Sequence, residues 1–474
     1  MSALGLHPHS STHQEALREW PYETPATPQV GEGAKSNESI NSGDVRQAFN
    51  RFRPHTPAEN ERSNMPPKSL KCKECQEEYP LEALYACSRC FGPLEVSYDS
   101  FVGRDPEELR RRIQAGPNTL WRYADFLPVS KPPVGALPTG MTPLIKAERL
   151  GKELGIDELW IKSETANPTH SFKDRVVAIA LARALELGFD TFACASTGNL
   201  ANAVAAHAAA AGVPAWVFIP SDLEKEKITA TAIHGARVVG VEGNYDQVNR
   251  LCSEIANERD WAFVNVNLRP YYAEGSKTLG YEVAEQLGWK LPNHFVAPVA
   301  SGSLHTRIGR AFDEWREIGL VDSPLPSMHG AQAAGCAPVA NAFAEGEDLC
   351  RPVKPDTIAR SLAIGDPADG PFALELARRT GGAIEAATDD EIREGISLLA
   401  RTTGVFTETA GGVTIAVLKK LAERGSFGPG ESVVAAITGD GLKTPDAISD
   451  SISFETVAPQ FEAFEQLERV EVTA

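Results

Sequence analysis

The sequence predicts an α/β protein. It would have two parallel-sheet domains, a small four-cysteine zinc ribbon and a disordered N-terminal extension. Three observations carry this. Short, continuous apolar runs alternate with helical segments through the long middle of the chain and again after residue 325, as expected of parallel strands covered on both faces. Two Cys-x-x-Cys pairs, Cys72/Cys75 and Cys87/Cys90, stand eleven residues apart. Residues 1–66 are rich in Pro, Ser, Asn, His and charge and carry little periodicity.

The extension has too few apolar residues to bury a core, and within it "DVRQAFNRF" is predicted as a short helix. In the next unit, each Cys-x-x-Cys turns tightly enough to aim two sulfurs at one point. Four soft ligands at this spacing suit tetrahedral Zn²⁺. A closed Cys₄ site is structural, so the ribbon is expected to pack on the body and not to catalyse. Its lysines are interleaved with glutamates, which is no footprint for nucleic acid. "EELRRRIQ" then reads as a helix.

Further along, "DTFACAS", "PAWVFIP", "ARVVGVEG" and "WAFVNV" read as strands. "LANAVAAHAAAAG", "KITATAIHG" and "YDQVNRLCSEIANERD" read as the helices between them, with Gly212 and Gly235 as stops. "SKTLGYEVAEQLGW" is a predicted helix, "HFVAPVAS" a strand and "SLHTRIGRAFDEWREIG" a helix. After residue 325, "SMHGAQAAG" and "SVVAAITGDG" read as strands, and "DDEIREGISLLARTTG" and "GGVTIAVLKKLAERG" as helices. The acidic end, "FETVAPQFEAFEQLERVEV", reads as a docked helix or a frayed tail.

Bulk properties narrow the function. The 474 residues suffice for two to four compact units. A net charge of −18 argues against general nucleic-acid or membrane-surface binding. No apolar run approaches the roughly 18–20 residues of a membrane helix, and the N-terminus has no basic stretch followed by an apolar block. A cytoplasmic protein is expected. Cys194, Cys252, Cys336 and Cys350 then read as reduced and structural.

Three loops at strand ends are placed to meet a ligand. Ser196-Thr197-Gly198-Asn199 offers hydroxyls and an amide at a helix start, suited to a carboxylate or serving as a simple cap. Ala300-Ser301-Gly302-Ser303, before the helix from Leu304, lets backbone amides converge on a phosphate. Thr438-Gly439-Asp440-Gly441-Leu442-Lys443 is a glycine turn or presents a hydroxyl to a ring nitrogen. A fourth element is Lys173, at a loop-to-helix junction after Asn167-Pro168-Thr169-His170. Partial burial and a helix start both lower a lysine's pKa, as Schiff-base chemistry requires.

In this order, Asn-Pro-Thr-x-Ser-Phe-Lys-Asp-Arg, Ser-Thr-Gly-Asn, a small-residue phosphate loop and Thr-Gly-x-Gly-Leu-Lys resemble the fold-type II pyridoxal-phosphate enzymes. Among those enzymes they resemble the threonine synthase family, whose ribbon is similar to "CSRCFGPLEVSYD". The resemblance implies a large cofactor-binding domain over 98–165 and 270–455, with a smaller one inserted over 166–269. The other units are the extension 1–66, the ribbon 67–97 and the tail 456–474. It implies pyridoxal 5'-phosphate bound as a Schiff base to Lys173, which later moves protons at the substrate's Cα, Cβ and Cγ. Asn199 would meet the cofactor's 3-oxygen, and Ala300, Ser301, Gly302, Ser303 and Leu304 its phosphate. Thr438 would face the pyridine nitrogen, and Ser196, Thr197 and Gly198 the substrate carboxylate. Asp174 and Arg175 would stabilise the loop–helix junction.

The implied reaction converts O-phospho-L-homoserine and water to threonine and phosphate, in a homodimer. A dehydratase, a cysteate synthase or a diaminopropionate-forming enzyme is the alternative. Arg269, Lys277 and His170 are the expected contacts to a substrate phosphate. Three positions depart from the family pattern. His170 stands where glycine is usual, Leu200 where threonine is frequent and Tyr272 where arginine is often found. His170 is open between phosphate ligand, proton shuttle and packed loop residue, and Glu408 between active-site contact and helix cap.

Overall fold

The computed structural model describes residues 67–99, 105–196, 198–221, 225–243 and 245–465. The extension with its expected short helix, Thr197 and residues 466–474 lie outside the described residues.

Strands β1 (Pro67–Cys72), β2 (Glu78–Tyr79) and β3 (Leu94–Tyr98) form an antiparallel ribbon in the order β2-β1-β3. Its Leu70, Cys72, Cys87, Leu94 and Val96 share one core with Val176, Val177, Ala180, Leu181 and Ala184 of the helix Lys173–Glu186. The ribbon is thus packed on the body. After the helix Pro106–Ala115, which Asp105 caps by accepting from the Glu107 N–H, the chain enters the larger sheet with β4 (Leu144–Lys146) and β5 (Glu158–Ser163).

It then leaves for the smaller sheet, β6 (Phe192–Ala195), β7 (Ala215–Pro220), β8 (Arg237–Val241) and β9 (Ala262–Phe263), ordered β8-β7-β6-β9 and parallel throughout. It returns with β10 (His294–Pro298), β11 (Ser327–Ala333), β12 (Ile384–Ala387) and β13 (Ser432–Ile437), giving the larger sheet the order β12-β11-β10-β13-β5-β4. Only β4 is antiparallel in that sheet, and it stands at the edge. Crossover helices between parallel strands bury the central strands, so β6 and β13 are apolar without alternation.

The predicted "WAFVNV" strand shortens to two residues. The Asn267 side chain takes the Phe263 N–H at 2.8 Å and gives to the Trp261 carbonyl at 3.0 Å, which turns the chain before the ladder can extend. Apolar patterning did not mark β4, β5, β12 or the helices Glu148–Leu154, Arg269–Glu274, Pro338–Glu345 and Gly370–Arg379. In the C-terminal tail, residues 461–465 are helical, with Phe461 and Phe464 exposed.

A buried ion cluster joins the segments. Arg175 reaches Glu164 at 2.5 and 2.8 Å and Glu282 at 2.6 Å with each of two nitrogens. Lys162 meets the same Glu282 at 2.8 Å and the Thr142 carbonyl at 2.7 Å. All four charged side chains are fully buried. Burial pushes the Glu282 carboxyl up, but the Arg175 and Lys162 charges and their hydrogen bonds outweigh it and bring it down to about 2.

A carboxyl held below its unfolded value contributes stability above the unfolded pKa and loses it as pH falls through the folded one. Acid unfolding is therefore expected to draw on Glu282 between about pH 4.5 and pH 2. Glu282→Ala strands Arg175 and Lys162 and should cost about 3–5 kcal/mol. Urea denaturation at pH 7 and pH 3 checks both, and the variant's loss should be smaller at pH 3.

Candidate active site

Lys173 is the first residue of its helix, and Phe172 before it is already helical. The preceding loop is tied down from several sides. Asn167 donates to Glu164 at 2.8 Å and accepts from the Gly140 N–H at 3.0 Å. Asp174 takes the Thr169 N–H at 2.8 Å, the Thr169 hydroxyl at 3.0 Å and His207 Nε2 at 3.0 Å. Asp174 and Arg175 thus anchor the junction and leave Lys173 between two fixed residues.

The same loop is stitched to the end of β13. The Phe172 N–H donates to the Thr438 carbonyl at 3.0 Å, and the Asp440 N–H to the His170 carbonyl at 3.1 Å. Thr438 is buried. So is the Ser171 hydroxyl, which has no hydrogen-bond partner.

Lys173 Nζ donates to the Tyr272 hydroxyl at 2.9 Å and lies 4.5 Å from the Phe172 ring centroid. It forms no carboxylate ion pair among the described residues. Asn199 opens its helix after β6, and Gly198 before it is exposed. Its amide nitrogen donates to both Glu408 oxygens, at 3.0 and 2.9 Å, and its carbonyl oxygen accepts from Lys443 Nζ at 2.8 Å.

Glu408 stands at the N-cap position of the helix Thr409–Glu423, but its side chain makes no capping bond. It points into this cluster. Burial raises its carboxyl above the ordinary value, although the Asn199 hydrogen bond and the charges of Lys443 and Lys173 pull the other way. Burial likewise holds the Lys443 ammonium below its ordinary pKa. Lys443 and Asp440 belong to the Thr438 loop, but the sequence had singled out only Thr438.

Ala300, Ser301, Gly302 and Ser303 follow β10 and lead into the helix Ser303–Glu317, where Leu304 is buried. Gly302 is left-handed, with φ +95°, and a Cβ there would lie 2.6 Å from the Asp369 carbonyl oxygen. Glycine is required on both counts. Successive N–H groups at this fifteen-residue helix start have no intrahelical acceptor. A phosphate suits them.

The substrate-side expectations divide. Ser196, at the end of β6, is half-buried, and Thr197 lies outside the described residues. Arg269 bonds Asp369 at 3.0 Å and leaves its side chain 32% exposed. Lys277 is corrected: its ammonium is buried against Glu274 at 2.7 Å, Glu314 at 3.2 Å and the Phe126 carbonyl at 3.2 Å, so it is a core cation with no donor left for a substrate anion.

His170 is exposed and has φ +59°, the left-handed region that glycine populates freely. Its ring bonds the Thr165 carbonyl at 3.2 Å. A backbone requirement therefore explains why glycine suits this position.

The four ribbon sulfurs all lie within 4.8 Å of one another, with Cys72–Cys90 and Cys75–Cys87 at 3.5 Å and Cys75–Cys90 at 3.4 Å. A Zn–S bond of about 2.3 Å in a tetrahedron places sulfurs about 3.8 Å apart. The donor set fits zinc closely, and its closed geometry leaves no position for a reactant.

Comparison with known proteins follows the same lines. The family described as "Pyridoxal-phosphate dependent enzyme" matches residues 136–439. The threonine synthase of Methanosarcina acetivorans is 39% identical over 392 residues, covering 82% of this chain and 95% of that protein. The threonine synthase of Methanocaldococcus jannaschii is 39% identical over 80% of this chain and 93% of its own length. Among solved structures, threonine deaminase isoform 2 from Solanum lycopersicum superposes with a TM-score of 0.56 at 22% identity, covering 73% of this chain and 94% of that one. That likeness speaks to the fold alone.

Two outcomes are expected. His170→Gly should leave stability within about 1 kcal/mol of the parent, because relief of the left-handed histidine offsets the added freedom of the unfolded chain; thermal melts check it. Metal analysis should find zinc bound to the parent protein and lost from Cys90→Ser.

Proposed function

We propose the reaction from one premise: the chain belongs to the pyridoxal-phosphate dependent enzymes and, within them, to the threonine synthases. It converts O-phospho-L-homoserine and water to L-threonine and inorganic phosphate. The Cγ–O bond to phosphate breaks, and water adds its oxygen at Cβ. The observation that carries this reading is the Lys173 amine, held by a phenol at 2.9 Å and free of any carboxylate ion pair among the described residues.

The residues present fit the cofactor. They include a buried hydroxyl without a partner (Ser171), a glycine-dependent loop at a helix start (Gly302) and an amide between two ionisable groups (Asn199). Lys173 would hold the cofactor covalently, Asn199 its 3-oxygen, Ser301 to Leu304 its phosphate, and Thr438 its pyridine nitrogen. When bound, pyridoxal phosphate supplies an electron sink for the substrate carbons beside the amino group.

The chain's own residues do the rest. Lys173 takes and returns protons at Cα, Cβ and Cγ, and the Tyr272 hydroxyl holds its amine in place between transfers. Ser196, Thr197 and Gly198 receive the substrate carboxylate at a helix start. Arg269, with one face open, meets the leaving phosphate. Glu408 and Lys443 hold the Asn199 amide by both ends, which fixes its orientation. Thr438 presents a neutral hydroxyl where an aspartate would keep a ring protonated. The resulting milder sink favours elimination and replacement over transamination.

This reading includes a cytoplasmic homodimer acting in amino-acid biosynthesis. Among the described residues, no helix is long and apolar enough to cross a membrane.

The test is a substrate panel. Phosphohomoserine should release phosphate and threonine in equal amounts, while homoserine, phosphoserine and threonine give no product. Formation of 2-oxobutyrate from threonine, without turnover of phosphohomoserine, would overturn the assignment in favour of a dehydratase. Lys173→Ala should lose the visible absorbance of the bound cofactor and lower kcat at least about a thousandfold.

A further inference from the structure

We propose that Lys73 of the ribbon is a positioning residue for the loop Ser301-Gly302-Ser303, acting through Asp369. This rests on the reading that the loop holds the cofactor's phosphate.

Lys73 lies inside the first cysteine knuckle, between Cys72 and Cys75, and its N–H donates to the Pro93 carbonyl at 3.0 Å. Its side chain leaves the ribbon altogether. The ammonium sits 2.9 Å from Asp369 and 3.4 Å from the Phe372 ring centroid, with the side chain 10% exposed. Asp369 in turn grips the loop by its main chain. Its N–H donates to the Ser301 carbonyl at 2.8 Å, and its carbonyl fills the space a Gly302 Cβ would need, 2.6 Å away.

The ribbon holds the same region at two further points. Glu95 of β3 pairs at 3.2 Å with Arg307, on the helix that starts at Ser303, and the Tyr98 hydroxyl donates to Glu274 at 2.6 Å.

The consequence follows from burial. Asp369 is a largely buried carboxylate with two partners, Lys73 and Arg269. A buried carboxylate that loses a cation must rehydrate or draw its other partner closer. Either movement shifts the main chain that contacts Ser301 and Gly302. Anion binding by converging N–H groups depends on their placement to within about half an ångström. The loss should appear in recognition of the phosphate and leave the Lys173 amine untouched.

The experiment titrates the protein with pyridoxal 5'-phosphate and separately with pyridoxal, which lacks the phosphate, and follows absorbance. Lys73→Met is expected to weaken pyridoxal 5'-phosphate about tenfold and to leave pyridoxal unchanged. Lys73→Arg should restore most of the affinity, and the exposed ribbon variant Lys68→Met should have no effect. Asp369→Asn should give the same split between the two ligands, and its effect should not add to that of Lys73→Met. If Lys73→Met does not fold, Asp369→Asn is read by the same split.

Parent-like affinity for pyridoxal 5'-phosphate in these variants, or equal weakening of both ligands, would overturn the proposal. Gly302→Val separates the two levels. If it leaves the affinity for pyridoxal 5'-phosphate unchanged, the phosphate-loop reading itself fails. If it weakens that affinity while Lys73→Met does not, only the link to the ribbon fails.

Discussion

The site depends on the buried pairing of Arg175 with Glu164 and Glu282. Two carboxylates and two cations, counting Lys162, are held out of water together. Such a cluster adds little net stability over an apolar core of the same shape, but none of its members can be lost alone. Its value here is positional. Glu164 follows directly on β5 of the larger sheet, Arg175 lies two residues after Lys173, and Glu282 is on the helix Lys277–Gln286. Glu164 also takes the Asn167 amide, and Glu282 takes the Met141 N–H at 2.7 Å. Chain entering the larger sheet, chain leaving it for the smaller one and chain returning from it are thereby fixed at one place. Lys173 projects from that place.

This explains how Lys173 is held still while its amine stays out of any carboxylate ion pair among the described residues. Its neighbours in sequence are committed elsewhere, Asp174 to Thr169 and His207 and Arg175 to the ion cluster. Lys173 instead meets Tyr272, whose hydroxyl takes its amine at 2.9 Å. The antiparallel bridge between Ser171 and Gly439 aligns its loop with the Thr438 loop, and Thr407 bridges Asp440 on the far side. A side chain at Gly439 would meet the Glu408 carboxylate at 2.5 Å. The close approach of these segments therefore leaves little room for a side chain there unless the Glu408 carboxylate moves.

The sequence revealed what is local. Lys173, Asn199, the small residues around Gly302, and Thr438 sit at strand or helix ends, where chemistry and punctuation share a few consecutive residues. Strand and helix types followed from continuous apolar runs and glycine stops. What it hid is set by partners far away in the chain. Lys277 was expected to meet an anion because it lies near Arg269 in the segment that resembles the family's substrate-phosphate region. Its burial against Glu314, thirty-seven residues on, has no local signature. His170 stood out as a departure from a family pattern, and only its φ of +59° shows that backbone geometry underlies the preference for glycine. Lys73 was read as one charge in a mixed ribbon surface, since Asp369 is 296 residues away.

Those distant partners give the ribbon a place in the architecture that its own chemistry does not. A closed four-sulfur site offers no open coordination position and so does no catalysis. It can still confer rigidity. The knuckle is too short to have a core of its own, so the flanking Cys72 and Cys75 set where Lys73 begins, and burial against Phe372 and Asp369 sets where it ends. Through Lys73 and Asp369 the ribbon is tied to the loop at the start of the Ser303–Glu317 helix, and the ion cluster ties down Arg175, two residues after Lys173. Two clusters of different chemistry, four sulfurs and four buried charges, thus lie next to the segments that carry the Ser301–Ser303 loop and Lys173. His170 and Gly198, on the loops before Lys173 and Asn199, stay exposed, and Ser196 is half-buried.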